Sequence, residues 1–127
     1  MAADPVKFKS FRKLLQAADY ARLSLALRDA DLRALAGAWA RFAPLEKLVL
    51  FKLLDPPRAL EFYARLAFRD RYDLLCGFPL NSIAPVLEDL PPAQRRPFKQ
   101  LPRECYDRMF RLLASERIEM DVTVSAN

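Results

Sequence analysis

The run LLDPPRALEFYARL, Leu53 to Leu66, sets two consecutive prolines, Pro56 and Pro57, directly behind an aspartate in the middle of an apolar stretch. Inside a helix a proline removes a backbone hydrogen bond and clashes with the preceding turn; in the first turn its missing N–H has no partner to lose. The prolines therefore read as a helix start, with Asp55 at the N-cap. Behind them Ala59, Phe62, Tyr63 and Leu66 fall at i, i+3, i+4 and i+7, one apolar stripe that has to face inward. The stretch predicts a short helix ending near Leu66.

The same punctuation recurs as FAPLEK at Phe42, LLDPPR at Leu54, LAFRD at Leu66, GFPLN at Phe78, EDLPPA at Leu90 and KQLPRE at Leu101, at intervals of 12, 12, 12, 12 and 11 residues. One interval upstream lies Ala30, next to Asp31, which is placed to cap DLRALAGAWARF with Leu32, Leu35, Trp39 and Phe42 on one face. Downstream, the same pattern groups Leu80, Ile83, Ala84 and Leu87, then Tyr106, Met109, Phe110 and Leu113. Helices this short are unstable alone, so consecutive units have to stack on one another. The expectation is an all-α, right-handed, solenoid-like superhelix of about eight or nine short helices filling residues 1–117 as one domain. In residues 118–127, Ile118, Met120, Val122 and Val124 alternate with polar residues, which reads as a flexible or strand-like tail.

Composition narrows the function classes. At 127 residues and 53% hydrophobic content the chain has material for a single real core. Only two glycines, Gly37 and Gly77, are present, which leaves no Gly-rich phosphate loop. Histidine is absent, which removes Ser-His and Cys-His nucleophile pairs, the imidazole base and His-containing zinc sites. Carboxylates such as Asp29, Asp31, Glu88 and Asp89 fall at helix junctions, where capping accounts for them. Catalysis is not expected. Cys76 and Cys105 lie far apart among apolar residues, as buried thiols of a reducing compartment do. The longest uncharged run, Leu74 to Leu87, has 14 residues against the ~20 a membrane-spanning helix needs. The N-terminal stretch has no uninterrupted apolar core or cleavage motif, which points to a cytoplasmic address.

The ladder LLDPPRALEFYARL followed by DRYDLLCGFPLNSIAPVLEDLPPAQRRPFKQL resembles the intracellular N-terminal domain of MgtE-type magnesium transporters, from about Leu14 to Leu113. The flagellar motor switch protein FliG contains helical segments similar to the same unit. The resemblance implies a cytoplasmic regulatory domain that docks on protein partners and helps sense magnesium, with no transport activity of its own. It also implies that Glu61, in the ALEF step, matches a glutamate able to reach a weakly held Mg²⁺. A hard cation needs several clustered oxygens. Where the family follows its Leu-Pro step with an acid-rich turn, this chain reads Ala93, Gln94, Arg95, Arg96, Pro97, and cations there repel a divalent ion.

The net charge is +5, with 21 basic and 16 acidic residues. Between Pro91 and Arg117 seven basic residues face three acidic ones. Arg95, Arg96, Lys99 and Arg103 are accordingly the candidate partner- or anion-binding residues, open to an acidic protein, a nucleic-acid backbone or an anionic surface. No nucleic-acid motif accompanies them, so the partner expected is a protein, a transporter or scaffold component, with a second copy of the chain as an alternative. A FliG-like scaffold module is the second reading and anion binding through the basic face the third.

Overall fold

The computed structural model of the chain describes residues 5–77, 87–99 and 101–125, with side chains described for 9–75, 87–99 and 101–115. Among the described residues it holds eight α-helices and no strand. These are α1 (Pro5–Gln16), α2 (Tyr20–Arg28), α3 (Leu32–Ala38), α4 (Pro44–Leu53), α5 (Pro56–Arg65), α6 (Phe68–Tyr72), α7 (Pro92–Arg95) and α8 (Arg103–Ser125). A 3₁₀ turn at Trp39–Arg41 extends α3, and a π turn at Asp73–Gly77 extends α6. The helix expected over Leu80 to Leu87 lies largely outside the described residues, as does the side chain of Cys76.

The sequence ladder is realised as a repeated two-residue step. Phe42, Leu54 and Leu66 each close the preceding helix with ψ of 143°, 141° and 153°, donating the backbone N–H to the carbonyl three residues back at 3.1, 3.2 and 3.1 Å. The next residues, Ala43, Asp55 and Ala67, are extended as well, with ψ of 159°, 148° and 156°. Two of these three precede a proline, whose ring disfavours the helical region for its predecessor. The step residue points inward each time: Ala30, Phe42, Leu54 and Leu66 are 5%, 4%, 2% and 3% exposed. Local proline chemistry thus fixes where the helix ends at two of these steps, and at all of them burial of one apolar side chain fixes how the chain turns.

Capping differs from step to step. Asp31 caps α3 as its position predicts, accepting from the Arg33 and Ala34 amides at 3.0 and 3.5 Å. At α4 the cap works in reverse, Glu46 accepting from the Ala43 amide at 2.7 Å. Asp55 occupies the N-cap position of α5 but makes no capping bond. Proline at the first two helical positions leaves it fewer amides to accept from, and its carboxylate pairs instead with Lys99 at 3.7 Å. The α1–α2 corner closes with Asp19 N–H to Leu14 O at 2.9 Å and Ala18 N–H to Leu15 O at 3.1 Å, a left-handed helix cap. It places Ala18 at φ 54°, a position that favours glycine.

The core is one cluster around α4, whose Leu48, Val49, Leu50, Phe51 and Leu53 are all buried, so that helix is covered on nearly every side. Trp39 packs edge-to-face on Phe62 with centroids 4.8 Å apart. All four residues of the Leu32, Leu35, Trp39, Phe42 stripe are buried, as are Ala59, Phe62, Tyr63 and Leu66. Packing also joins distant parts of the chain. Ala21 N–H donates to Gln94 Oε1 at 2.9 Å, and Tyr20 meets Phe98 edge-to-face at 5.1 Å. Tyr63 donates its hydroxyl to the Met109 carbonyl at 2.9 Å. Residues 94–98 thus close back on the start of α2, beyond the neighbour-only contacts of a simple solenoid.

Two expectations are corrected. On α8 the buried positions are Cys105, Met109 and Leu113, four residues apart, while Phe110 is 50% exposed. Each helical residue turns the side chain by about 100°, so a face centred on Met109 leaves Phe110 at its edge. The backbone is helical through Ser125, so residues 118–125 continue α8 and form no strand. There is no strand among the described residues for such a segment to pair with.

Lys52 sits on α4 with its ammonium pKa lowered by burial. The unfolded chain therefore holds that proton more tightly than the folded one, so the charge costs stability at neutral pH and the cost fades as pH rises past the folded pKa. Lys52→Met is expected to raise the thermal midpoint at pH 7, with a gain that shrinks toward alkaline pH. Equal midpoints at pH 7 in calorimetric scans would refute this.

Candidate functional site

Structure separates the four basic residues singled out from sequence. Arg95 turns back on the end of the preceding segment, its Nε donating to the Leu87 carbonyl at 2.9 Å and its Nη2 to those of Glu88 and Leu90 at 3.1 and 3.5 Å. Lys99 docks on the α4–α5 step, its amide donating to the Lys52 carbonyl at 2.8 Å and its ammonium facing Asp55. Arg96 and Arg103 are exposed. Two of the four are thus occupied inside the fold.

Arg95 belongs to a set that the sequence reading missed. Arg58 donates to the Leu27 and Ala30 carbonyls at 2.8 and 2.7 Å, closing the open end of α2. Arg71, 8% exposed, donates its Nε to the Leu66 carbonyl at 2.9 Å and lies over the Tyr63 ring at 5.9 Å. Arg12 donates to the Arg41 carbonyl behind the 3₁₀ turn. A helix leaves its last carbonyls without internal partners and carries partial negative charge there, so a guanidinium is a fitting cap. A sequence signal for three of these existed: Arg58, Arg71 and Arg95 each follow a step residue, Leu54, Leu66 and Leu90, by four or five positions.

Glu61, the residue the resemblance points to for magnesium, is exposed on α5 and pairs with Arg65 one turn on at 3.4 Å. Among the described residues no three or more of Asp, Glu and Cys gather into a group able to hold a metal ion. Cys105 is a buried free thiol. Burial raises the pKa of Tyr20, and burial together with the neighbouring Cys105 thiol raises that of Tyr106, so both stay protonated at neutral pH.

Two open depressions lie among the described residues. The larger, about 550 Å³, runs between α3, α5 and α6 and is lined by Arg33, Ala36, Gly37, Arg65, Leu66, Ala67 and Asp70. The smaller, about 310 Å³, lies on α8 between Arg108, Arg111, Leu112 and Ser115. Leu25, Leu45, Tyr72, Phe110 and Leu112 are large apolar side chains left at the surface.

This geometry defines a class, an all-α domain of short helices joined by buried two-residue steps, with arginines closing the helix ends. Among the described residues no helix is long and apolar enough to cross a membrane. Comparison with family models, curated proteins and solved structures gives no match.

Proposed function

We propose that the chain is a regulatory protein-interaction domain, a superhelical module of the kind found at the cytoplasmic N-terminus of MgtE-type magnesium transporters. It works by docking a helical face on a protein partner. The observation that carries this reading is the twelve-residue ladder, with Ala30, Phe42, Leu54 and Leu66 all buried while Leu25, Leu45, Tyr72, Phe110 and Leu112 stay outside. A module whose step residues supply the core has its outer faces free for a partner. The magnesium-linked part of the resemblance rests on Glu61 alone, since among the described residues no group of three or more Asp, Glu or Cys gathers to hold an ion. The docking surface is therefore the primary feature, and any ion is secondary to it.

Thermal unfolding tests this reading. Several millimolar magnesium chloride is expected to move the midpoint no further than sodium chloride at matched ionic strength. A partner found by crosslinking in native cells, then purified, is expected to raise the midpoint by mass action. A magnesium-specific rise would restore ion sensing as the main role. A chain that responds to neither partner nor ion would remove the docking role.

A further inference from the structure

We propose that the groove between α3, α5 and α6 receives an acidic segment of the protein partner, with Arg33 and Arg65 meeting its carboxylates and Gly37 keeping the space open. This rests on the protein-interaction reading above and names the place and chemistry of contact.

Gly37 lies inside α3 with no positive φ, so the helix does not need glycine's conformational freedom there. A Cβ at Gly37 would meet no atom within 4 Å, so packing does not need glycine either. Glycine lowers helix stability relative to alanine, and this position accepts that loss with no return inside the fold. The space a side chain would take is the groove itself, which holds about 550 Å³. The small lining residues Gly37, Ala36 and Ala67 let a partner backbone come close.

The walls set the sign of the partner. The Arg33 guanidinium makes no hydrogen bond or ion pair with a described residue, so its charge is available. Arg65 has Glu61 at 3.4 Å, but both side chains are well exposed, at 39% and 55%, so a carboxylate from outside can compete for it. Asp70, the carboxylate in this lining, is matched by Lys47 at 3.9 Å. The groove therefore presents a cationic surplus. A net charge of +5 attracts an acidic partner from a distance and works against a second copy of the chain.

The test uses the full purified chain and a short fluorescein-labelled peptide of Glu, Ala and Leu, followed by anisotropy at low and moderate salt. Saturable binding is expected, with Kd raised about tenfold by Arg33→Glu and by Gly37→Leu. Arg111→Glu, on α8, is expected to leave Kd unchanged. Gly37→Leu should melt at or above the wild type, because leucine is the better helix former and the site has room, so its weaker binding reports a blocked groove. Equal weakening by Arg111→Glu would show diffuse attraction to net charge and overturn the proposal. So would a loss confined to Arg96→Glu or Arg103→Glu, which moves the acidic contact to another face and leaves the interaction reading standing. Absence of peptide binding overturns the groove assignment alone; the interaction reading falls only if the purified partner also fails to shift the melting midpoint.

Discussion

Replacing Trp39 with alanine is expected to lower the unfolding free energy by about 3–5 kcal/mol, a large part of the about 5–15 kcal/mol that stabilises an ordinary domain. Trp39 is 1% exposed, lies at the start of the 3₁₀ turn behind α3, and touches two aromatic neighbours, Phe62 at 4.8 Å and Phe42 at 6.3 Å between centroids. Phe42 is a step residue and Phe62 the centre of the α5 stripe, so the indole ties the end of α3 to α5, two helices further along the ladder. Its removal leaves a cavity that short helices on separate steps cannot easily close. Urea unfolding monitored by circular dichroism reads the effect. A loss near that of an isolated large-to-small change at the edge, below about 1 kcal/mol, would mean that the ladder does not depend on aromatic contact between its rungs.

The second large effect is expected at Arg58, which no composition argument distinguishes from the other arginines. Its guanidinium closes the end of α2 through the Leu27 and Ala30 carbonyls from across the α5 step. Arg58→Met keeps the apolar stem and removes both charge-assisted bonds, leaving partly buried carbonyls without a donor. The expected cost is about 2–3 kcal/mol, read as a lower urea midpoint at unchanged slope. Arg58→Lys should recover only part, because both bonds leave from the terminal Nη2 and the lysine stem places its ammonium one bond short of that position. Full recovery by lysine would show that charge near the α2 end, and not the reach of the guanidinium, matters. An unchanged midpoint in Arg58→Met would show that water replaces the cap without loss.

These effects bear on how the basic surplus is understood. Part of the arginine in this chain is structural: Arg12, Arg58, Arg71 and Arg95 all donate to backbone carbonyls. The cations left for recognition are fewer, and Arg33 and Arg65 on the groove between α3, α5 and α6 are placed differently from the Pro91 to Arg117 cluster that the charge count favours.

The sequence by itself determined the helix starts: Leu32, Pro44, Pro56, Phe68, Pro92 and Arg103 open helices where the ladder places them, apart from the rung outside the described residues. It also determined the inward residues Ala30, Phe42, Leu54 and Leu66. Both are local matters, since the X-Pro bond restricts the backbone of one residue and a stripe of four apolar positions lies within two turns of one helix. Only the tertiary structure decided what depends on distant partners. Asp55 faces Lys99 in place of capping its own helix, Gln94 caps α2 from 73 residues away, and Arg58 closes a helix three helices back. Phe110 is turned outward because Cys105, Met109 and Leu113 set the rotation of α8 against its neighbours. The groove above Gly37 is likewise a product of three helices meeting, and no spacing along the chain encodes a space between α3, α5 and α6.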